Sequence, residues 1–250
     1  MMPSDGDPTI RIAMWSGPRN LSTAMMRSFG NRADCAVIDE PFYAAFLTLS
    51  GADHPMRDAI LDRHETDWRA VAADLASSAP GGTAIYYQKH MTHHMLPEIG
   101  RDFMRACRNA FLIRRPERVL ASYARKREAV GFEDLGFAEQ DVLFSEAADI
   151  AGEAPPVIDA DTLLARPEPV LRSLCGALGI PFDAAMLAWP KGRRKTDGIW
   201  AEHWYDAVER SEGFGPPSPA RVIEDPEFRK IAERAEPLYR RLAVHAIGGE

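Results

Sequence analysis

Short apolar runs alternate with longer stretches whose apolar residues recur every three or four positions. Ile10 to Trp15 predicts a strand, and the segment from Leu21 carries Leu21, Ala24, Met25 and Phe29 at helical spacing. Ala36-Val37-Ile38 predicts a second strand that ends at Asp39-Glu40-Pro41, and Thr83 to Gln88 a third, around its Ile-Tyr-Tyr core. Between these two, Met56, Ile60, Leu61, Trp68, Val71 and Leu75 suggest one or two helices. Ala110 to Ile113 reads as a fourth strand, with Pro116 suited to the first turn of a helix carrying Val119, Leu120 and Tyr123. Val157-Ile158 reads as the fifth. A helix from Pro169 to Leu178 then stops at Gly179, and a last helix runs from about Pro226 to Val244 with Phe228, Ile231, Leu238, Tyr239 and Leu242 inward.

Strands alternating with helices predict an α/β fold, a mostly parallel sheet covered on both faces in three layers. Ligands of such sheets bind beyond the carboxyl ends of the strands. That directs attention to the residues just after Trp15, Ile38, Gln88 and Ile113. The irregular stretch from Lys191 to Gly215 is rich in Gly, Arg and Trp, and residues 189–215 read as a lid within a single domain spanning 1–250.

Composition narrows the function classes. The 250 residues are 46% hydrophobic and 27% charged, which suits a soluble globular domain. No run approaches the roughly 20 apolar residues that span a bilayer, and MMPSDGDPT lacks the features of a signal peptide. Three cysteines without CxxC spacing argue against a disulfide framework or cysteine zinc site, so a cytoplasmic location and no membrane partner are expected. A net charge of -7 disfavours a nucleic-acid partner.

The candidate chemistry begins at Ser16-Gly17-Pro18-Arg19-Asn20-Leu21-Ser22-Thr23, which joins the first strand to a helix. A helix start exposes unpaired N–H groups and the positive end of the macrodipole, a combination that favours phosphate. Pro18 cannot donate, so the amides of Arg19 to Thr23 would form the cradle. Ser22 and Thr23 add hydroxyls, and Arg19 a permanent charge. The segment is not a Walker A loop, because no GxxxxGK[ST] is present. Read alone, it is equally an ordinary strand-to-helix turn with a surface arginine. A second candidate is Arg114, at the end of the fourth strand, with Ser122 eight residues on, placed to meet one phosphate from two sides; a solvated arginine and a small packed serine are the plain alternative.

Here a resemblance becomes specific. SGPRNLST, FLIRRPERVLASY and VIDADTLLARPEPVLRSLCGALGIPF together resemble the sulfotransferases that use 3'-phosphoadenosine 5'-phosphosulfate (PAPS). The likeness spans about residues 10 to 205, and SGPRNLST with KHMTHH resembles a bacterial subgroup. It implies a P-loop NTPase-like architecture, PAPS as donor, 3'-phosphoadenosine 5'-phosphate (PAP) as product and no required metal. By the same match, Arg19 to Thr23 would hold the phosphosulfate, and Arg114 with Ser122 the 3'-phosphate. The family's late arginine-lysine-glycine loop is similar to Lys191 to Trp200, whose Arg193 and Arg194 would then clamp phosphate. Where many relatives carry lysine, this chain has Arg19.

Transfer needs a base for the acceptor's proton. Glu40 resembles the acidic base of some bacterial and glycan-type relatives, although a turn cap is its alternative role. His90 follows Lys89 where cytosolic relatives carry Lys-x-His, and imidazole titrates near neutrality. His93 and His94 also lie close by. If a helix began at Met91, His90, His94 and Glu98 would stack one turn apart as a conceivable metal site. The expectation is a sulfotransferase with Arg19, Glu40 and His90 as catalytic residues and a small-molecule or glycan-like acceptor. An ATP-dependent phosphotransferase and a non-catalytic nucleotide-binding module are the competing readings.

Overall fold

All five predicted strands form, and they join one parallel sheet in the order β2-β3-β1-β4-β5. The computed structural model describes residues 9–77, 79–123, 131–216 and 225–248. The opening MMPSDGDP lies outside them. In chain order the elements are β1 (Ile10–Ser16), α1 (Ser22–Gly30), β2 (Cys35–Asp39), α2 (Tyr43–Ser50), α3 (Arg57–Arg63), α4 (Trp68–Leu75), β3 (Ile85–Met91) and β4 (Arg108–Ile113). There follow α5 (Pro116–Tyr123), α6 (Phe137–Ala151), β5 (Val157–Asp159), α7 (Ala160–Ala165), α8 (Pro167–Ala177), α9 (Ala201–Trp204), α10 (Asp206–Glu209) and α11 (Pro226–Ala243).

Alternation of side chains along each strand divides the core in two. One face carries Ile12, Met14, Ile85, Tyr87, Ala110, Leu112 and Ile158, packed against α1, α2, α3, α7 and α8. The other carries Ala13, Trp15, Tyr86, Phe111, Ile113 and Val157, packed against α4, α5, α6 and α11. Two helices had no clear sequence signal. In α2, YAAFLTLS is apolar almost all round and gives no stripe, and α6 mixes small and acidic residues with its Phe137, Leu143 and Phe144.

The departure that matters most is in β3, which runs on through Lys89 and His90 to Met91 instead of ending at Gln88. Its polar residues read as the end of a strand, but β3 lies between β2 and β1, with Lys89 beside Asp39 and Met14. A polar residue is tolerated there because each finds a partner; Gln88 Nε2, for example, donates to the Leu75 carbonyl at 2.9 Å. Among the described residues no helix is long and apolar enough to cross a membrane.

Candidate active site

At the carboxyl ends of β1 to β4 lies a cavity of about 540 Å³, lined among others by Arg19, Ser22, Thr23, Glu40, Lys89, Arg114, Ser122 and Tyr205. Its two ends are built differently.

At the first end, the loop after β1 is held from behind. Gly17 is required by close approach, since a Cβ there would stand 2.6 Å from the Leu135 carbonyl oxygen. Buried Asn20 donates through Nδ2 to the Leu112 carbonyl at 3.2 Å and ties the loop to β4. Arg19 and Leu21, on either side, hold positive φ of 64° and 67°. That conformation is unfavourable for side-chain-bearing residues, and the Asn20 anchor enforces it. Alternating handedness of this kind curls backbone into a form that gathers N–H groups, and α1 follows with no side-chain cap. Arg19 Nε donates to Ser122 Oγ at 3.2 Å, and Arg114 Nη1 donates to the Arg19 carbonyl at 2.9 Å. The residues expected from sequence to bind two anions thus lie together in one contiguous wall.

At the other end, Lys89 is buried with all three N–H groups engaged: Asp39 Oδ1 at 2.8 Å, Glu40 Oε1 at 2.5 Å and Tyr205 Oη at 2.6 Å. The Tyr205 hydroxyl lies 2.8 and 2.7 Å from the two Asp39 oxygens, and the Gly198 amide donates to Asp39 Oδ2 at 3.0 Å. Glu40 sits at φ 45°, just past β2, a strained position of the kind found at functional sites. Burial pushes the Glu40 carboxyl up against the opposing pull of Lys89, while Asp39 pushes it further in the same direction. Burial works against the Lys89 charge, yet Asp39, Glu40 and Tyr205 hold its ammonium well above the usual lysine range. Tyr43, His54, His93 and His94 also line the cavity, with His94 stacked between Tyr43 at 4.5 Å and Phe46 at 4.9 Å. Trp204, Val208, Phe214 and Pro216 are among its other lining residues.

Several expected site residues fall elsewhere. His90 does not line the cavity. In a strand, neighbours point to opposite faces, so with Lys89 turned to the cavity His90 enters the far core. There it stacks on Trp15 at 4.4 Å, near Phe42 and Phe103, with Nε2 3.2 Å from Gln88 Oε1. Burial pushes its pKa down to about 3, which is unsuited to a base at neutral pH. Nor does a helix start at Met91, so the stacking of His90, His94 and Glu98 does not arise. Arg193 pairs with Glu202 at 3.1 Å, and Arg194 donates to the Pro190 carbonyl at 2.5 Å; neither lines the cavity. Both lie on the outer side of a segment pinned by Asp197, which pairs through both oxygens with buried Arg27 and accepts from the Arg194 amide at 2.7 Å. Ser16, Gly17 and Asn20 shape the loop without lining the cavity, whereas Pro18, Arg19, Leu21, Ser22, Thr23, Arg114, Ser122 and Glu40 do line it.

Lys89 and Tyr205 were not recognised from sequence. Strand alternation along Ile85-Tyr86-Tyr87-Gln88-Lys89-His90-Met91 carries the signal for Lys89: Ile85, Tyr87, Lys89 and Met91 share one face, and Tyr86, Gln88 and His90 the other. For Tyr205 no local signal exists, because its partners lie on β2 and β3.

Comparison with known proteins agrees with this architecture. The model of the sulfotransferase domain family matches residues 10–246. A sulfotransferase domain from the curacin biosynthetic pathway superposes with a TM-score of 0.51 at 15% identity, covering 91% of this chain and 97% of that one. A sulfotransferase from Alicyclobacillus acidocaldarius does so at 0.51 and 13%, covering 96% of each. In sequence, branched-chain-amino-acid aminotransferase-like protein 2 of Arabidopsis thaliana is 38% identical over 234 residues, 94% of this chain but 41% of that protein. Protein 1 of the same name is 38% identical over 234 residues, 42% of its length, so the chain spans about two fifths of these relatives. With the family model matching residues 10–246, nearly the whole chain, the protein belongs to the sulfotransferase domain family.

Proposed function

We propose that this protein is a sulfotransferase that takes its sulfuryl group from PAPS and delivers it to a hydroxyl or amine of a small-molecule or glycan-like acceptor, with Glu40 as the base. The observation that carries the reading is a wall of two guanidinium groups and a serine hydroxyl in one cavity with the Glu40 carboxylate. The residues fit the donor. An uncapped helix start, two guanidinium groups and the Ser122 hydroxyl suit its phosphates, and the flat faces of Trp204 and Phe214 suit an adenine. When bound, PAPS supplies an activated sulfuryl group and a leaving group that gains negative charge.

Arg19, charged at every working pH, answers that negative charge from the loop. Glu40 takes the acceptor's proton. The network of Lys89, Asp39 and Glu40 holds one ammonium and two carboxylates, so a proton arriving on Glu40 brings it from net negative to neutral. A buried site favours that direction, as the raised Glu40 pKa records. Tyr43, His54, His93 and His94 are then left to face the acceptor.

Two alternatives meet physical objections. An aminotransferase needs a lysine whose amine can form a Schiff base. Lys89, the lysine that lines this cavity, is held charged with every N–H engaged, so the names of the longer plant relatives do not describe this site. An ATP-dependent phosphotransferase would lack the lysine of a GK[ST] loop. Thermal unfolding with PAP, ADP or ATP plus magnesium tests the donor. PAP at a hundredfold excess over Kd is expected to stabilise by about 2.7 kcal/mol, some 5–10 °C. Stronger stabilisation by ATP with magnesium would overturn the reading.

A further inference from the structure

The segment from Pro190 to Tyr205 is fastened to the body of the protein at three buried points. Asp197 pairs with Arg27 on α1, Gly198 donates its amide to Asp39 at 3.0 Å, and Tyr205 reaches both Asp39 and Lys89. Gly198 can do so only without a side chain, because a Cβ there would run into the Trp200 ring. Trp200, 1% exposed, also donates from Nε1 to the Tyr205 oxygen at 3.3 Å. Two of the three fastenings therefore end on Asp39, the carboxylate that shares Lys89 with Glu40. The late segment was expected from sequence to clamp phosphate through Arg193 and Arg194; its buried contacts instead converge on the acidic end of the cavity.

We infer that Tyr205 and Asp39 are positioning residues that set the basicity of Glu40, so that the late segment tunes the proton-accepting end of the site. This inference rests on Glu40 being the base. Tyr205 has one proton to donate and two carboxylates within reach of its network, and it fills the third donor of Lys89. Remove the hydroxyl, and the carboxylate pair loses a hydrogen bond that favours its charged form. Remove the Asp39 charge, and Glu40 loses a like-charged neighbour while keeping Lys89. The two changes push Glu40 in opposite directions, which simple loosening of the fold would not do. The other groups that bear on this network are the Tyr87 hydroxyl on β3, His64 after α3, and Arg19, His54, His93 and His94 around the cavity. Neither substitution replaces any of them, and of the two only Asp39→Asn removes a charge that Tyr87 and His64 also feel.

The test is a carbon-13 NMR titration of the Glu40 carboxyl in the full chain without nucleotide, assigned with Glu40→Gln, in wild type, Tyr205→Phe and Asp39→Asn. Tyr205→Phe conserves the ring, which guards against a folding failure. Its Glu40 titration is expected to move up by about one pH unit, the worth of one hydrogen bond to a charged group. In Asp39→Asn it is expected to move down by about one unit. The acidic limb of kcat against pH should follow each shift, with PAP affinity within about twofold of wild type because the anion wall is untouched. Unchanged titrations in both variants, or shifts of the same sign, would overturn the inference. If Glu40→Gln turns over at the wild-type rate, the base assignment fails, whereas the carboxyl titration still decides whether Tyr205 and Asp39 control Glu40.

Discussion

The two ends of the cavity differ in how their charges are supplied. At the donor end, Arg19 and Arg114 lie within a residue or a few of a strand's end, and their positions follow from the local strand-loop-helix turn. At the acceptor end, Asp39, Glu40, Lys89 and Tyr205 come from two strands and a distant segment, joined only by the parallel register of β2 with β3 and by the docking of residues 190–205. A locally built anion site tolerates change elsewhere in the chain. A network assembled from three segments fails when any one of them shifts, and that contrast orders the expected effects of mutation.

The largest is at the acidic end. Glu40→Gln removes the proton acceptor and should lower kcat by about 10² to 10⁴-fold while leaving PAP binding in place. Steady-state kinetics with any acceptor the wild type uses will check it, and a change confined to KM would break the comparison. Arg19→Ala should lower turnover by about 10² to 10³-fold and also weaken PAP binding, since it removes an answering charge and a donor. Calorimetric titration separates these two effects.

These expectations divide along the same line as what the sequence makes legible. The sheet, its order of strands with helices, and the loop from Pro18 to Thr23 follow from periodicity and turn chemistry. Arg114 and Ser122 were recognisable because a strand end and the next helix lie at a fixed spacing. His90 was misplaced because three consecutive polar residues suggest that a strand has ended, whereas in β3 burial on both faces carries it on to Met91. Once the strand continues, alternation forces Lys89 and His90 apart, and the more familiar base is the one turned away. Arg193 and Arg194 were misassigned for a related reason: a run of cations says nothing of which side of the loop faces inward. Here the inward residues are Asp197, Gly198 and Trp200.

Smaller effects sharpen the comparison. Ser122→Ala removes one hydrogen-bonding hydroxyl from the donor wall and should weaken PAP about tenfold or less. His90→Phe should leave kcat nearly unchanged, because the ring lies in the core. Its effect belongs to stability. The His90 pKa falls from 6.5 to about 3 on folding, so the unfolded chain binds the proton more readily. Stability is then full above pH 6.5 and is lost as pH falls from 6.5 toward 3, at about 1.4 kcal/mol per unit. Thermal melts at pH 7 and pH 5 should show a smaller acid loss in His90→Phe than in wild type.

The separation of donor grip from proton acceptance is tested most directly by calorimetric titration of PAP into wild type, Arg19→Ala and Glu40→Gln. The account expects Glu40→Gln to bind PAP as wild type does and Arg19→Ala to bind it at least about tenfold more weakly, the worth of a charge-assisted hydrogen bond. Full affinity in Arg19→Ala, or its loss in Glu40→Gln, would contradict it.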